Sequence, residues 1–294
     1  MSRFSTLLYI ACALCAGSSI PANAAMPAEV RWHNESSDTT RVNSILIEVS
    51  ATPEKPINEL MLLIGDKFIG TPYVAGTLEG SPEALTVNLD GMDCTTFVET
   101  VAAMALTVSE RRNSWQDFLY NLEQLRYRQG RIDGYGSRLH YISDWVVDNT
   151  HRGLLREVTD RMPGVAYQVK TLDYMSTHRD AYPAMSDDAV YEKIKGSEVG
   201  YRSHRFPYIK SADLMSKKAA SWLKSGDIIA FTTKTPGLDV SHVGIVVVKD
   251  GIPHILHASS KSGMVVLDPI PLAEYMRKNR NLTGARFIRI GAQR

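Results

Sequence analysis

Three cysteines occur in the 294-residue sequence, and one of them stands where a reactive thiol is favoured. Cys94 precedes an apolar stripe whose spacing of three and four residues predicts a buried helix beginning at the cysteine: Phe97, Val101, Met104 and Val108. The free N–H groups and the dipole of a helix N-terminus favour a thiolate and can receive an oxyanion. Cys94 is therefore a candidate nucleophile, with a buried structural cysteine as the alternative.

A nucleophilic thiol needs a base, and histidine is the usual one. The sequence contains eight histidines, most of them in polar loops or on predicted helix surfaces. His242 differs because it opens a strongly apolar predicted strand at 243–248. A histidine at this position can contact the end of a helix that packs on the sheet. A structural histidine is the alternative.

A third group is expected to orient the base through its other ring nitrogen. A turn at 250–251 predicts a hairpin, and pairing about it brings His257 to within about two residues of His242. His254 lies nearer the turn and faces the opposite side of the strand, which also disfavours a zinc site made of His254 and His257. His254 stays an alternative third member. Weaker candidates for the orienting group are Asn88 and Asp268.

The elements that must position these groups follow from the periodicity of the apolar residues. Helices are predicted from Asn58 to Phe68, after Cys94, over 115–125 and over about 137–149, whereas residues 25 to about 55 look polar and irregular. Strands are predicted at 227–231, 242–248, 255–258, 264–267 and 286–290. Helices followed by strands predict an α+β fold with an antiparallel sheet.

The N-terminus has the order of a secretory signal peptide: Arg3, an apolar run over 7–16, and the cleavage signal Ala22-Asn23-Ala24. We expect a signal peptide over 1–24 and one domain over 25–294 with a mainly helical insertion at about 112–220. Cys12 and Cys15 then fall in the signal, and lipoprotein processing at either is the weaker alternative. A secreted, periplasmic protein is expected, without a transmembrane segment in its mature form.

The charge balance excludes one class of partner. The formal net charge is +1, from 33 basic and 32 acidic residues, so the sequence does not suggest nucleic-acid binding. It carries no signal for an oligomeric state.

Five motifs follow one another over about 190 residues. They are Gly70-Thr71-Pro72-Tyr73, Asp93-Cys94-Thr95-Thr96-Phe97-Val98, Ser225-Gly226-Asp227-Ile228-Ile229-Ala230-Phe231, Ser241-His242-Val243-Gly244-Ile245 and His257-Ala258-Ser259. In this order they resemble the NlpC-type peptidoglycan hydrolases, which are papain-like. The fuller strings at 70–78, 88–99 and 137–141 resemble one branch, the N-acetylmuramoyl-L-alanine amidase-like proteins.

The resemblance implies a papain-like fold, with the nucleophile at a helix N-terminus packed on an antiparallel sheet. It implies Cys94 as nucleophile, His242 as base and His257 as orienting residue. The supporting or oxyanion residues that it implies are Tyr73, Asp93 and Ser241. Thr95 and Thr96 depart from the Ser-Gly that is commonest in the superfamily, and the hairpin between the two histidines is longer than usual.

The long middle segment has no counterpart in the minimal fold, and the branch resemblance suggests that it builds a restricted groove. Substrate-lining candidates within it are Arg138, His140, Tyr141 and Trp145, for which a structural role is an equal alternative. The resemblance implies peptidoglycan or a muropeptide as the substrate, and we expect neither a metal nor another cofactor.

The expected reaction is acyl transfer at the amide between N-acetylmuramic acid and L-alanine. A γ-D-glutamyl-diaminopimelate endopeptidase of the same fold is one alternative, since groove shape decides the bond that is cut. A catalytically inactive module that binds peptidoglycan is another, and a metallohydrolase is the least favoured.

Overall fold

The computed structural model describes residues 30–52, 54–216 and 221–291, so the predicted signal peptide lies outside the described residues. The α-helices are α1 (Glu35–Ser50), α2 (Ile57–Asp66), α3 (Cys94–Ser109), α4 (Trp115–Arg126), α5 (Ile142–His151), α6 (Tyr174–Thr177), α7 (Asp188–Gly200), α8 (Ser211–Leu214) and α9 (Leu272–Lys278). The strands are β1 (Val30–Trp32), β2 (Leu85–Val87), β3 (Leu155–Glu157), β4 (Val165–Val169), β5 (Arg205–Lys210), β6 (Ile228–Thr233), β7 (Val240–Lys249), β8 (Ile252–Ser259), β9 (Met264–Leu267) and β10 (Leu282–Ile290).

An antiparallel sheet dominates the described part of the chain. Its eight strands follow the order β4-β5-β10-β6-β7-β8-β9, and β3 pairs with β10. A separate parallel pair joins β1 to β2. The predicted α+β fold with an antiparallel sheet is therefore confirmed, and each of the five predicted strands lies within one or two residues of an observed strand or inside it.

The sheet has hydrophobic packing on both faces. Alternating residues of β6 separate the two cores, since Ile228 and Ala230 pack with α1 to α4, whereas Ile229 and Phe231 pack with α9. A third cluster lies within the middle segment and includes Tyr135, Met185 and Phe206. Within the described ranges, no helix has the length and apolar character needed to cross a membrane.

The expectation of an irregular segment over residues 25 to about 55 was wrong, because α1 occupies 16 residues of it. Asn34 caps the helix by accepting a hydrogen bond from Ser37 N. The buried stripe of Val42, Ile45, Leu46 and Val49 has helical spacing, diluted by polar residues between. The helix is also fixed through a long-range contact, since the buried Asp38 carboxylate accepts the N–H of Leu89 at 3.2 Å.

The middle segment, predicted as mainly helical, contributes three strands to the sheet. β4 pairs with β5, β5 with β10, and β3 with β10. Arg286 of β10 reinforces this junction, because its buried guanidinium donates to both Glu157 oxygens and to Ser143 Oγ at 2.6–2.9 Å. The strands are short, and the partly exposed edge strand β4 shows little alternation of buried apolar and exposed polar residues. Their pairing therefore depends on long-range partners.

The register of β7 against β8 ends at Ile245 opposite Leu256 and so brings His257 beside Gly244, two residues from His242. The ladder runs from Ile245 opposite Leu256 to Lys249 opposite Ile252 around the predicted turn. A Cβ on Gly244 would lie 2.7 Å from Ile255 Cγ2 and 3.0 Å from His257 Cβ. The glycine therefore allows β8 to approach β7 closely beside the two histidines.

Gly244→Ala is expected to lower the free energy of unfolding by about 1–3 kcal/mol, because the added methyl group overpacks the β7–β8 contact. Gly196→Ala is the matched control. Gly196 is exposed inside α7 with open space around it, so alanine there should stabilise the protein by about 0.5–1 kcal/mol. Urea unfolding measures both, and equal effects of the two substitutions would contradict this account.

Candidate active site

The helix that carries the cysteine begins with a reciprocal cap. Asp93 Oδ1 accepts the N–H of Thr96 at 2.8 Å, and Thr96 Oγ1 accepts the N–H of Asp93 at 2.9 Å. This capping box fixes the first turn of α3 and with it the position of Cys94. It also gives Thr96 a capping role that the sequence analysis missed. The available signal was an aspartate followed by a threonine three positions later.

Cys94 is partly buried, and its thiol makes a weak contact with a neighbouring side chain. Its Sγ lies 4.0 Å from Thr95 Oγ1. Burial, together with the charge of Asp93, raises the pKa of the Cys94 thiol to about 11, although hydrogen bonds from Val243 and Thr95 offset part of the increase. The resting group is therefore a neutral thiol. The expected effect of the helix N-terminus is outweighed by desolvation and by the carboxylate of the capping residue.

His242 and His257 are joined directly. His242 Nε2 lies 2.6 Å from His257 Nδ1, and the rings meet edge to face with centroids 4.8 Å apart. Burial lowers the pKa of His242 to about 3, with His257 as the second cause. His242 is therefore neutral and able to accept a proton.

His254 occupies a different position. It pairs with Val247, and its Nδ1 lies 3.1 Å from the carbonyl oxygen of Asp268. Between the two histidines considered for the third position, the structure thus brings His257 to His242 and places His254 elsewhere. His257 is 2% exposed, so its contact with His242 is shielded from water.

Cys94 and His242 share one small cleft of about 100 Å³. It is lined by Cys94, Thr95, His140, Ile142, Leu238, Asp239, Val240, Ser241, His242 and Val243. Ser241 is exposed at its edge, and Asp239 is buried. The cleft therefore combines a thiol, a neutral imidazole and the beginning of two helices, α3 and α5.

Asp239 is a cleft residue that the sequence analysis missed. Its Oδ2 accepts the N–H of Ser143 at 2.6 Å, in the first turn of α5, and its Oδ1 accepts the N–H of Val240. An acidic residue before a strand was the available signal, but its helix partner is 96 residues away. Asp239 therefore attaches the middle segment to the wall of the cleft.

Tyr73 lies beside the thiol. Its backbone N–H donates to Gly263 O at 2.8 Å, which holds the segment against the β8–β9 turn. Burial raises the pKa of the Tyr73 phenol, and the charges of a Cys94 thiolate and of Asp93 raise it further. The phenol is therefore a neutral hydrogen-bond donor close to the Cys94 thiol.

The four lining candidates of the middle segment separate into two groups. His140 lines the cleft, with its Nε2 3.0 Å from Tyr135 O. The other three are at most 5% exposed. Arg138 donates to Leu78 O and to Glu79, and the Tyr141 hydroxyl donates to Glu198.

Trp145 packs in the main core. The structural alternative thus accounts for the contacts of Arg138, Tyr141 and Trp145, and His140 alone of the four borders the cleft.

Across residues 30–52, 54–216 and 221–291, no group of three or more histidine, cysteine or acidic side chains is arranged to hold a metal ion.

A family model described as AmiA-like, N-acetylmuramoyl-L-alanine amidase-like, matches residues 63–284. The chain belongs to this family. Among solved structures, an N-acetylmuramoyl-L-alanine amidase from Bacteroides uniformis ATCC 8492 is 40% identical, with 80% of this chain and 98% of that chain covered and a TM-score of 0.76.

Two further structures are similar to this member of the amidase-like family. A Bacteroides fragilis protein described as a candidate xylanase is 43% identical over 77% of this chain and 98% of that chain, with a TM-score of 0.72. Protein LPG0564 of Legionella pneumophila str. Philadelphia 1 shares the fold at 23% identity, with 87% and 95% covered and a TM-score of 0.68. No curated protein matches the chain.

The neutral resting thiol predicts a pH-dependent reaction with iodoacetamide. Because the pKa of Cys94 is raised to about 11, the rate of alkylation should increase between pH 6 and 9, by up to about tenfold per pH unit. Mass spectrometry measures it directly, since residues 25–294 contain a single cysteine. A rate that is the same at pH 5 and pH 8 would instead indicate a resting thiolate paired with a protonated His242.

The lowered pKa of His242 also predicts loss of stability in acid. Between pH 3 and 6.5 the unfolded chain binds a proton at this position that the folded chain does not, so folding is favoured less as the pH falls. His242→Gln should reduce the slope of the unfolding free energy against pH by about 1.4 kcal/mol per pH unit. His151→Gln, at an exposed position of α5, should leave the slope unchanged, and an unchanged slope in both variants would contradict the prediction.

Proposed function

We propose that this protein is a cysteine-dependent N-acetylmuramoyl-L-alanine amidase that acts on peptidoglycan fragments. The family match and the likeness to the Bacteroides uniformis amidase support the class of substrate and bond. The observation that carries the catalytic assignment is the His242–His257 contact of 2.6 Å next to a cysteine at a helix N-terminus. We assign Cys94 as nucleophile, His242 as base and His257 as the residue that orients it.

The same arrangement supports membership of the papain-like NlpC-type superfamily. The nucleophile opens α3, the base lies near the start of β7, and the orienting residue follows on β8. The helix contacts both strands. Together these features reproduce the order of cysteine, histidine and a polar third member that the sequence motifs indicate.

Acylation begins with a proton transfer within the cleft. His242 accepts the thiol proton of Cys94, and the sulfur attacks the amide carbonyl carbon. Backbone N–H groups at the start of α3 then stabilise the oxyanion, and the neutral Tyr73 hydroxyl is placed to assist. The tetrahedral intermediate collapses when the protonated His242 donates to the leaving nitrogen, which releases the peptide amine and leaves a thioester on Cys94.

Deacylation regenerates the thiol. His242 removes a proton from water, the hydroxide oxygen attacks the thioester carbonyl, and the C–S bond breaks as the sulfur recovers the proton. In the assigned reaction, the muramyl lactyl group is the acyl part and the peptide that begins with L-alanine is the leaving group. The energetic demand falls on the first proton transfer, because burial disfavours both the thiolate and the imidazolium.

Glycoside hydrolysis, suggested by the description of the Bacteroides fragilis protein, fits the cleft poorly. Such enzymes commonly use a pair of carboxyl groups on either side of the scissile bond. Asp239 is the carboxylate among the residues that line the cleft, and both of its oxygens accept backbone N–H groups. A thiol and a neutral imidazole favour acyl transfer.

The endopeptidase and the inactive binding module are the remaining rivals. An endopeptidase uses the same residues and differs in the bond placed at Cys94. A binding module has no need for the buried contact between His242 and His257, whose formation removes two imidazoles from water.

We further propose that the protein is exported by the signal peptide over 1–24 and acts in the periplasm as one catalytic domain over 25–294. The sequence order of a basic start, an apolar run and a small-residue cleavage site supports export. N-terminal sequencing of the protein purified from its native envelope should begin at Ala25. An N-terminus modified with lipid at Cys12 or Cys15 would contradict this proposal.

The bond and the nucleophile are tested together by mass spectrometry of defined muropeptides. Wild-type protein should release an intact peptide beginning with L-alanine, and Cys94→Ala should be slower by at least about 10³-fold, since it removes the attacking atom. His151→Gln is the folded control and should match the wild type. Fragments that begin with diaminopimelate would replace the amidase assignment, and full activity of Cys94→Ala would overturn cysteine catalysis.

A further inference from the structure

The side of the His257 ring that faces away from His242 has one charged neighbour. His257 Nε2 is buried and makes no hydrogen bond of normal length within the described part of the chain, but Asp268 Oδ2 lies 3.4 Å from it. A charge-assisted N–H···O bond has a length of roughly 2.7–2.9 Å, so a small movement closes this contact. Asp268 is a weaker candidate than either histidine for the group that orients His242 directly, but this contact joins it to His257.

Asp268 is held in place by three other contacts. Its N–H donates to Ile255 O at 2.8 Å, its Oδ1 accepts the N–H of Ile270 at 3.1 Å, and its carbonyl oxygen lies 3.1 Å from His254 Nδ1. The side chain is 16% exposed. These contacts occupy Oδ1 and the main chain, which leaves Oδ2 directed at His257.

Proton positions follow from this chain of groups. A base that accepts the thiol proton at Nδ1 carries its own hydrogen on Nε2, and His242 Nε2 therefore donates to His257 Nδ1. His257 must then hold its hydrogen on Nε2, where Asp268 Oδ2 can accept it. The opposite tautomer of His257 would place two hydrogens between the rings.

We propose that Asp268 is a positioning residue that acts through His257. It keeps His257 in the Nε2–H tautomer and so keeps His242 oriented as the base, an inference that rests on the proposed function of the site. Its negative charge also favours the imidazolium that forms on His242 during acylation.

The aromatic neighbour of His257 on α9 is neutral, so Asp268 is the charged group beside this side of its ring. The Tyr275 ring of α9 lies 5.7 Å from the His257 ring, centroid to centroid. Burial, together with the charges of Asp268 and of a Cys94 thiolate, raises the pKa of Tyr275 to about 12, so its phenol is neutral at pH 7. Burial lowers the pKa of His257 itself, while Asp268 raises it.

Asp268→Asn is a sharp test because the existing contacts fix the orientation of the new amide. Oδ1 of the asparagine would continue to accept the N–H of Ile270, so its NH₂ group would occupy the place of Oδ2 and donate to His257 Nε2. That nitrogen would become an acceptor, and the hydrogen of His257 would move to Nδ1. His242 Nε2 would then have to accept this hydrogen instead of donating its own. The hydrogen of His242 would move to Nδ1, which could no longer accept the thiol proton.

Nitrogen-15 NMR of the histidines reads this tautomer without any substrate. At pH 7 the wild type should show His257 protonated at Nε2, and Asp268→Asn should shift the population to Nδ1–H. The alkylation rate of Cys94 should fall in the same variant. If the tautomer and the alkylation rate are both unchanged in Asp268→Asn, Asp268 has no positioning role.

Kinetics on a muropeptide adds a second readout. Asp268→Asn should lower kcat by roughly 10- to 100-fold with KM changed less than about twofold, and Asp268→Glu should recover part of the loss. Asp250→Asn is the matched control, since it makes the same change at the exposed hairpin turn, where the positive φ of 51° suits asparagine. A loss confined to KM, or an equal loss in the control, would overturn the proposal.

The two proposals fail in different ways. If the wild type cleaves no muropeptide at the assigned bond, the proposed function fails, and NMR and alkylation still decide the role of Asp268. If the wild type is active and Asp268→Asn matches it in tautomer and rate, the positioning role fails alone.

Discussion

The pairing of β7 with β8 is the constraint on which the site depends. Its register brings His257 beside Gly244 and thereby brings the two imidazoles to 2.6 Å. A slip of one residue would turn every side chain of β8 to the other face, and His257 would leave His242. The hydrophobic cores on both faces of the sheet oppose such a slip, because Leu256 and Ile255 are completely buried on opposite sides. The packing that stabilises this hairpin therefore also fixes the geometry of the site.

Burial has opposite effects on structure and on reactivity here. It protects the His242–His257 contact from water, yet it disfavours both charges that the first step of the proposed mechanism creates. The capping box adds to this cost, because the carboxylate that fixes the start of α3 also disfavours a thiolate on Cys94. In the proposed mechanism, the thiol stays neutral until a substrate carbonyl is in place. The helix N–H groups then act on the oxyanion more than on the resting sulfur.

Much of the proposed site could be predicted from the sequence because its positioning depends on local order. The apolar stripe after Cys94, the strand after His242 and the turn before His257 each lie within one element or one hairpin. The elements that were missed depend on distant partners. The α1 helix is fixed partly by the contact of Asp38 with Leu89, and the strands of the middle segment form against β10.

The same distinction explains the residues of the middle segment. Nothing local in the sequence says that Arg138 donates to Leu78, 60 residues away, or that Tyr141 reaches Glu198. The family resemblance suggested that these side chains line a groove, with a structural role as an equal alternative, whereas their partners place them in a buried wall. Asp268 shows the converse, since its contact with His257 becomes visible only when the β8–β9 connection is folded.

The central claim is that a thioester forms on Cys94, and partitioning with hydroxylamine tests it most directly. When a defined muropeptide is hydrolysed in increasing concentrations of hydroxylamine, cysteine catalysis predicts the hydroxamate of the muramyl lactyl group beside the free acid, in a growing ratio and dependent on Cys94. Formation of the free acid alone at every hydroxylamine concentration, with peptide release undiminished, would show that water attacks the amide directly. That result would contradict the account.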